Sequence, residues 1–269
     1  MNMKKLILLT AVILLSATTF VQAQDGELSG TVDLTYLTQY IWRGFEMYGN
    51  QSAIQPSLDL DLYGTGLGMK VLWSRANSSG YEIDEELDLT LSYSNSLYEY
   101  ETYATNYTVG WMYYYFPDGP PMNPLTGKSY DESSDWQEMF ATLSWPEMCP
   151  EGVVPSYTVI KMWASEGGSP ARAISGWLHV LGLSYDMPIE GLLPDTPEQI
   201  LHLSVATVYN DEVGGVDSDW SHAVFGVSTD FDLGNDCTLR PGVYYQSSWE
   251  RDVNGSDEFW ASVGVSYAF

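Results

Sequence analysis

The C-terminal segment sets the terms for this chain. Phe259, Ala261, Val263, Val265, Tyr267 and Phe269 fall on one face of an extended strand, and Trp260, Ser262, Gly264, Ser266 and Ala268 on the other. Successive side chains of a strand point to opposite faces, so one face is apolar and the other small and neutral. A sheet standing in water would carry charges on its outer face. None is present here. The same period returns upstream: Leu58, Leu60 and Leu62 alternate with Ser57, Asp59, Asp61 and Tyr63, and Leu87, Leu89, Leu91 and Tyr93 with Asp88, Thr90, Ser92 and Ser94. Phe225, Val227, Thr229, Phe231 and Leu233 likewise alternate with Gly226, Ser228, Asp230 and Asp232.

Beyond the N-terminus no run reaches the ~18 apolar residues a membrane-crossing helix needs. The spacing predicts twelve strands, at 30–42, 53–64, 66–76, 85–95, 101–116, 136–146, 155–166, 175–187, 199–209, 220–233, 237–250 and 258–269. Lipid offers no hydrogen-bond partners, so a sheet of such strands must close on itself. The expected fold is all-β, a closed antiparallel transmembrane β-barrel of about 12 strands occupying 24–269. Ten or fourteen strands are alternatives in the count, and a soluble β-sandwich ending in Phe is the rival architecture.

Composition narrows the function. The chain holds 36 Asp+Glu against 10 Lys+Arg, a net charge of −26. Nucleic-acid binding needs a basic face, which this balance excludes. Charged residues total 17%, below the ~25% usual for soluble domains. Met1 to Ala23 reads as a secretory signal peptide: Lys4 and Lys5, an apolar run from Leu6 to Leu15, then Val21-Gln22-Ala23 before cleavage. Export of a barrel without a helical anchor implies the outer membrane of a Gram-negative cell.

With an even strand number both termini face the periplasm, and connections alternate between short periplasmic turns and long outer loops. The segments 64–66, 94–97 and 233–237 are short, whereas 43–52, 117–135, 210–219 and 251–257 are longer and rich in Gly, Asp, Asn and Pro. The segments 146–154 and 188–198 break the pattern. The loop Pro117 to Asp135 is long enough to fold inward and constrict the bore. Tyr40, Trp42, Trp73, Trp111 to Phe116, Trp136, Trp145, Trp163, Trp177, Trp220, Trp249 and Trp260 are expected to form interfacial girdles.

From Thr31 to about Ser94 the chain resembles the TorF-type family of porin-like outer-membrane proteins. The residues that carry the resemblance are Val32-Asp33-Leu34-Thr35, Tyr40-Ile41-Trp42-Arg43-Gly44, Gln55-Pro56-Ser57-Leu58-Asp59, Trp73-Ser74 and Glu86-Leu87-Asp88-Leu89. The resemblance implies an outer-membrane barrel of porin type and attaches no catalytic residues. Read from the residues, Arg43 and Gly44 sit where strand one meets the first outer loop. Glycine lets the backbone leave the ladder, and Arg43 is placed to pair with an interior carboxylate such as Asp59 or Glu86, a structural role weighed above a selectivity role.

Little else carries chemistry. His179, His202 and His222 lie on different strands without metal-ligand spacing, so no metal and no cofactor is expected. The acidic pairs Asp131-Glu132 and Asp217-Ser218-Asp219 read as solvated loop charge rather than a calcium site. Cys149 and Cys237 fall on the periplasmic side, where a Cys149–Cys237 disulfide and two free thiols are both open. His202 and Ser204 share a face, the spacing of an outer-membrane phospholipase pair, but apolar Leu201, Leu203 and Val205 turn that face inward.

The expected pore-lining set is Asp33, Arg43, Asp59, Asp61, Lys70, Asp88, Asp230 and Asp232, with Lys161 and Arg240 as further inward cations. Carboxylate-rich walls favour cations. The expected function is a porin-like channel for passive diffusion of small hydrophilic solutes, cation-preferring and not enzymatic. A non-conducting structural or adhesion barrel and a phospholipase-like enzyme are the alternatives. Expected partners are outer-membrane lipids, the barrel-assembly machinery acting on the strand that ends at Phe269, and small solutes or cations.

Overall fold

The computed structural model describes residues 26–118, 134–149, 152–166, 174–193 and 198–269. The signal peptide read at 1–23, Asp131-Glu132 and most of the 117–135 loop lie outside the described residues. No helix among them is long and apolar enough to cross a membrane. Twelve antiparallel strands form the wall: β1 (Ser29–Leu37), β2 (Ala53–Asp61), β3 (Leu67–Ala76), β4 (Glu86–Leu97), β5 (Thr105–Tyr115), β6 (Trp136–Ser144), β7 (Val153–Ala164), β8 (Gly176–Glu190), β9 (Glu198–Asp211), β10 (Asp219–Thr229), β11 (Cys237–Ser248) and β12 (Glu258–Ala268). A short continuation at Phe231–Gly234 carries β10 toward β11.

Each strand pairs with its sequence neighbours, and β1 pairs with β12, so the ring has no free edge. At the seam Gly30 and Phe269 exchange both backbone hydrogen bonds, each 3.0 Å. Register holds the two faces apart around the circle. Asp33 stands level with Ser57 and Ser266, and Leu34 with Pro56 and Val265. A slip of one residue would reverse every such row.

The outer surface is apolar. Leu34 is 53% exposed and Phe259 66%, with Val32, Trp73, Leu91, Val109, Met139, Leu181, Leu183, Phe225, Val243 and Val265 also exposed. A continuous apolar belt of this extent is incompatible with a molecule surrounded by water. At one end the connections are 38–52, 77–85, 116–135, 165–175, 212–218 and 249–257; at the other they are 62–66, 98–104, 145–152 and 191–197, together with the reversal before β11 and both termini. The end with the longer loops is taken as the outer one.

Several boundaries differ from those read in the sequence: β5 opens at Thr105 rather than 101, β10 ends at Thr229 rather than 233, and two further shifts reshape the connections. Strand β1 ends at Leu37 rather than 42, because the chain leaves the ladder after Thr38, whose N–H still reaches the Ala261 carbonyl at 2.9 Å, and turns into the bore. Strand β8 runs on to Glu190, which shortens the connection expected at 188–198 to 191–197.

Candidate functional site

The site is the barrel interior, and the first outer loop organises it. After β1, residues 38–52 do not project outward. Ile41–Trp42 and Phe45–Glu46 form a miniature hairpin with Arg43 and Gly44 at its tip. Both tip residues have positive φ, 49° and 95°, which a two-residue reversal of this hand requires. At Gly44 a Cβ would lie 2.5 Å from the His222 ring and 2.9 Å from Val253 Cγ1, so the tip also has no room for a side chain.

This hairpin spans the bore in its outer half. Both Arg43 Nη2–H contacts reach the Glu138 carboxylate on β6, at 2.7 and 2.8 Å, and Tyr114 on β5 donates its hydroxyl to the same carboxylate at 3.0 Å. Glu138 is 1% exposed. Trp42 packs edge-on against Tyr114 (5.8 Å between ring centroids) and at a 36° tilt against Trp136 (5.6 Å). Phe45 fits over Gly214 in the 212–218 loop, where a Cβ would be 2.7 Å from its ring. Tyr40 donates to Glu86 on β4 at 2.6 Å, Tyr48 meets Ser74 on β3 at 3.0 Å, and Gln246 on β11 donates to the Gly44 carbonyl at 2.9 Å. Loop one therefore touches both sides of the cylinder.

Around it, Tyr114, Phe116, Ile160, Met162, Ile174, Leu178, Val208 and Val213 form the principal hydrophobic core, with Trp42 and Phe45 packed on it. The core thus lies inside the barrel's outer half, not between layers. Several buried polar atoms beside the hairpin have no hydrogen-bond partner among the described residues: Arg43 Nε, Glu86 Oε2, Asp88 Oδ1, Trp136 Nε1 and Gln246 Oε1. Glu46 Oε1 accepts from the Tyr48 and Asn50 N–H groups at 3.0 and 2.6 Å and fixes the descending limb.

The inner half is different. A cavity of about 840 Å³ opens there, lined by Asp33, Asp59, Lys70, Asp236, Arg240 and Tyr244 among other wall residues that are mostly Ser and Thr. Asp33 accepts from Thr35 Oγ1 at 2.6 Å, and Lys70 stands 3.9 Å from Asp59. Arg240 makes a two-pronged contact with Asp230, one arm at 2.7 Å. His202 lies between Asp186 (2.7 Å) and Asp230 (3.7 Å). Tyr244 and Trp260 stack at 5.4 Å and 17° on the same wall.

The structure distributes the sequence-predicted residues among different places. Asp33, Asp59 and Lys70 line the inner cavity, with Asp230 beside it through Arg240. Asp88 is buried under the loop-one hairpin, opposite Tyr114. Asp61 and Asp232 accept the N–H groups of Gly64 and Gly234 and so cap periplasmic turns. Arg43 pairs with Glu138 rather than with Asp59 or Glu86, because the hairpin carries it across the bore. Lys161 faces outward, level with Met139 and Trp177, and its ammonium sits 5.0 Å from the Trp177 ring. Cys149 and Cys237 are free thiols: Cys149 lies in the turn after β6, while Cys237 opens β11 in the outward row with Tyr267, with β7 to β10 between them.

The girdle expected from the tryptophans holds for Trp73, Trp177, Trp220 and Trp249, which are exposed. It fails for Tyr40, Trp42, Tyr114, Phe116, Trp136 and Trp260, which fill the interior. Glu138 and Gln246 are interior residues that the sequence does not single out, and His222, weighed there only as a metal ligand, is buried beside the loop-one tip. Glu138 shares parity with Trp136 and Phe140 on β6, a signal obscured because its two neighbours in that row are aromatic. His202 and Ser204 face the lumen, level with Asp186, Ser184, Ser228 and Gly226. Among the described residues no cluster of His, Cys, Asp and Glu could hold a metal ion.

A family model described as bacterial protein of unknown function (Gcw_chp) matches residues 22–153. No curated protein matches the chain. Among solved structures, the NanC porin is similar with a TM-score of 0.50 at 10% identity, over 88% of this chain and 98% of that one. The KdgM porin, solved in complex with disordered oligogalacturonate, gives 0.49 at 10% identity, over 89% and 99%. The COG4313 outer membrane channel from Pseudomonas putida F1 gives 0.46 at 12% identity, over 91% and 96%. At 10% identity the likeness to the NanC porin is one of fold alone, that of a β-barrel.

Proposed function

We propose that this barrel is a porin-like channel for passive diffusion of small hydrophilic solutes, that it prefers cations, and that loop one is its constriction. The observation that carries the reading is the polar inner cavity, about 840 Å³, walled by Asp33, Asp59, Asp236, Ser and Thr side chains. Its two cations are each beside a carboxylate, Lys70 with Asp59 and Arg240 with Asp230, which leaves Asp33 and Asp236 to set the sign of the wall. Rings of such carboxylates favour cations. In the outer half, Glu86, Asp88 and Glu138 face one cation, Arg43. The unpartnered polar atoms there support hydration of that half, since a dry, unpaired polar group costs about 1–3 kcal/mol.

The likeness of residues 31–94 to the TorF-type proteins belongs to this proposal, and gives its Trp42-Arg43-Gly44 element a physical meaning as the tip of the constriction. Passive diffusion involves no enzyme chemistry and no cofactor. His202 and Ser204 point into the lumen, out of reach of membrane lipid, which argues against the phospholipase reading. The strand ending at Phe269, exposed and stacked on Tyr267 at 6.4 Å, is the element offered to the assembly machinery.

A second reading, a non-conducting barrel, is favoured by the packing of Trp42 and Phe45 into the core. Single-channel recording of the purified protein in a KCl gradient decides between them. The channel reading expects discrete conductance steps with a reversal potential of cation sign. Silence from the wild type and from a variant with loop one released would overturn it in favour of the second.

A further inference from the structure

The lipid-facing wall carries a feature the channel reading does not use. Across β3 to β8 the outward rows contain no Asp or Glu. A shallow trough of about 660 Å³ crosses this wall, floored by Val109, Ala141 and Val159 and flanked by Leu67, Met139 and Trp177. It follows two adjacent hydrogen-bonded rows, Leu67–Tyr93–Val109–Ala141–Val159 and Leu91–Trp111–Met139–Lys161–Trp177. Leu67 opens β3 beside a periplasmic turn, and Trp177 lies one residue into β8 beneath an outer loop. The trough therefore climbs diagonally from the inner end to the outer end, as strand tilt dictates.

At its upper end stands one cation. Lys161 is three residues from the end of β7, about 7–10 Å below the strand terminus at ~3.3 Å per residue and ordinary tilt. Its stem can lift the ammonium to the headgroup level, and its position over Trp177 fits an interfacial pair. Among the described basic residues, Arg43, Lys70, Arg75 and Arg240 each have a carboxylate within 4.0 Å; Lys161 and Arg251 have none, and Arg251 lies in the 249–257 loop, so Lys161 is the unpaired cation of the wall. A lysine on the lipid face of a chain with net charge −26 is placed against the chain's own bias. An apolar trough ending in an unpaired cation at the outer headgroup level has the complementarity of one ligand class.

We propose that this trough binds one phosphorylated lipid of the outer leaflet, with a headgroup phosphate on Lys161 and an acyl chain lying over Met139, Ala141 and Val109. The site is independent of conduction through the lumen. The test uses protein refolded from inclusion bodies in detergent, free of native lipid, and native mass spectrometry to count adducts. The probes are a bis-phosphorylated lipid A, the same lipid after dephosphorylation, and inorganic phosphate.

The expected result is one tightly held lipid A per barrel. Lys161→Gln should weaken it at least about fivefold, in keeping with the ~1 kcal/mol that one basic residue contributes at an anionic lipid surface, and Lys161→Arg should restore it. Dephosphorylated lipid should bind wild type and Lys161→Gln alike. Folding of each variant is checked by its heat-modifiable migration on a gel. Equal retention by wild type and Lys161→Gln, equal binding of the two lipid forms, saturation by millimolar inorganic phosphate alone, or a lipid-free dimer that buries the trough would each overturn the proposal.

Discussion

Removing the Arg43 guanidinium should release loop one. In Arg43→Ala, Glu138, 1% exposed while loop one is docked, keeps only the Tyr114 hydroxyl at 3.0 Å and loses its charge partner. Deleting one member of a buried ion pair costs about 3–5 kcal/mol. Arg43 retains 23% side-chain exposure, so the lower end, about 3 kcal/mol, applies. That is roughly a hundredfold in an equilibrium between docked and released loop. The undocking exposes Trp42, Phe45 and Tyr48 to chymotrypsin, and cleavage within 38–52 should accelerate by up to that factor. In planar bilayers the same variant should conduct more and for longer than wild type. Replacing both partners, Arg43→Met with Glu138→Leu, removes the stranded charge and should return cleavage toward the wild-type rate, because a buried pair replaced by apolar groups is often neutral. Unchanged cleavage and conductance in Arg43→Ala would refute the view that this pair holds the constriction.

Other consequences are open to direct measurement. Gly44→Ala combines a strained positive φ with a Cβ 2.5 Å from His222; it should lower stability by about 1–3 kcal/mol, read as a fall in melting temperature with loop-one cleavage raised. Asp33→Asn with Asp236→Asn should move the reversal potential toward zero while leaving conductance of the same order, and an unchanged potential would remove these carboxylates from selectivity. Asp257, in the 249–257 loop, is held below the usual carboxylate range by the Tyr245 hydroxyl and the Ser248 N–H at 2.9 Å. A depressed native pKa stabilises above the unfolded value of ~3.9 and is lost as pH falls through the native one. The melting-temperature advantage of wild type over Asp257→Asn should therefore be present at pH 7 and vanish in acid.

Why the wall was legible and the interior less so follows from what each depends on. The wall is local. Alternation such as that of 259–269 is written in consecutive residues, and each strand is one such run, so twelve strands and their order emerge from period two. The plug is not local. Nothing in Tyr40-Ile41-Trp42-Arg43-Gly44 states that it dives inward, since the aromatics of a girdle and those of a bore have the same identity. Trp42 and Trp136 are distinguished from Trp73 and Trp177 only by parity relative to strands far away in sequence. The partner of Arg43 illustrates the limit: Glu138 is 95 residues distant, and only closure of the ring and entry of the hairpin bring them together. Lys161 shows the converse error. Its charge suggests the lumen, but its parity with Val159 and Tyr157 places it toward lipid, and here parity outranks polarity.

The most direct test of the central claim is a cysteine scan of β12, residues 259 to 267, in a Cys149→Ser, Cys237→Ser background. Each position is labelled with an environment-sensitive dye in liposomes and quenched by brominated acyl chains. Positions 259, 261, 263, 265 and 267 should be quenched by lipid, and 260, 262, 264 and 266 should be quenched only by a water-soluble agent. Uniform quenching along the strand, or a period of 3.6, would contradict a closed sheet with hydrocarbon outside and water within.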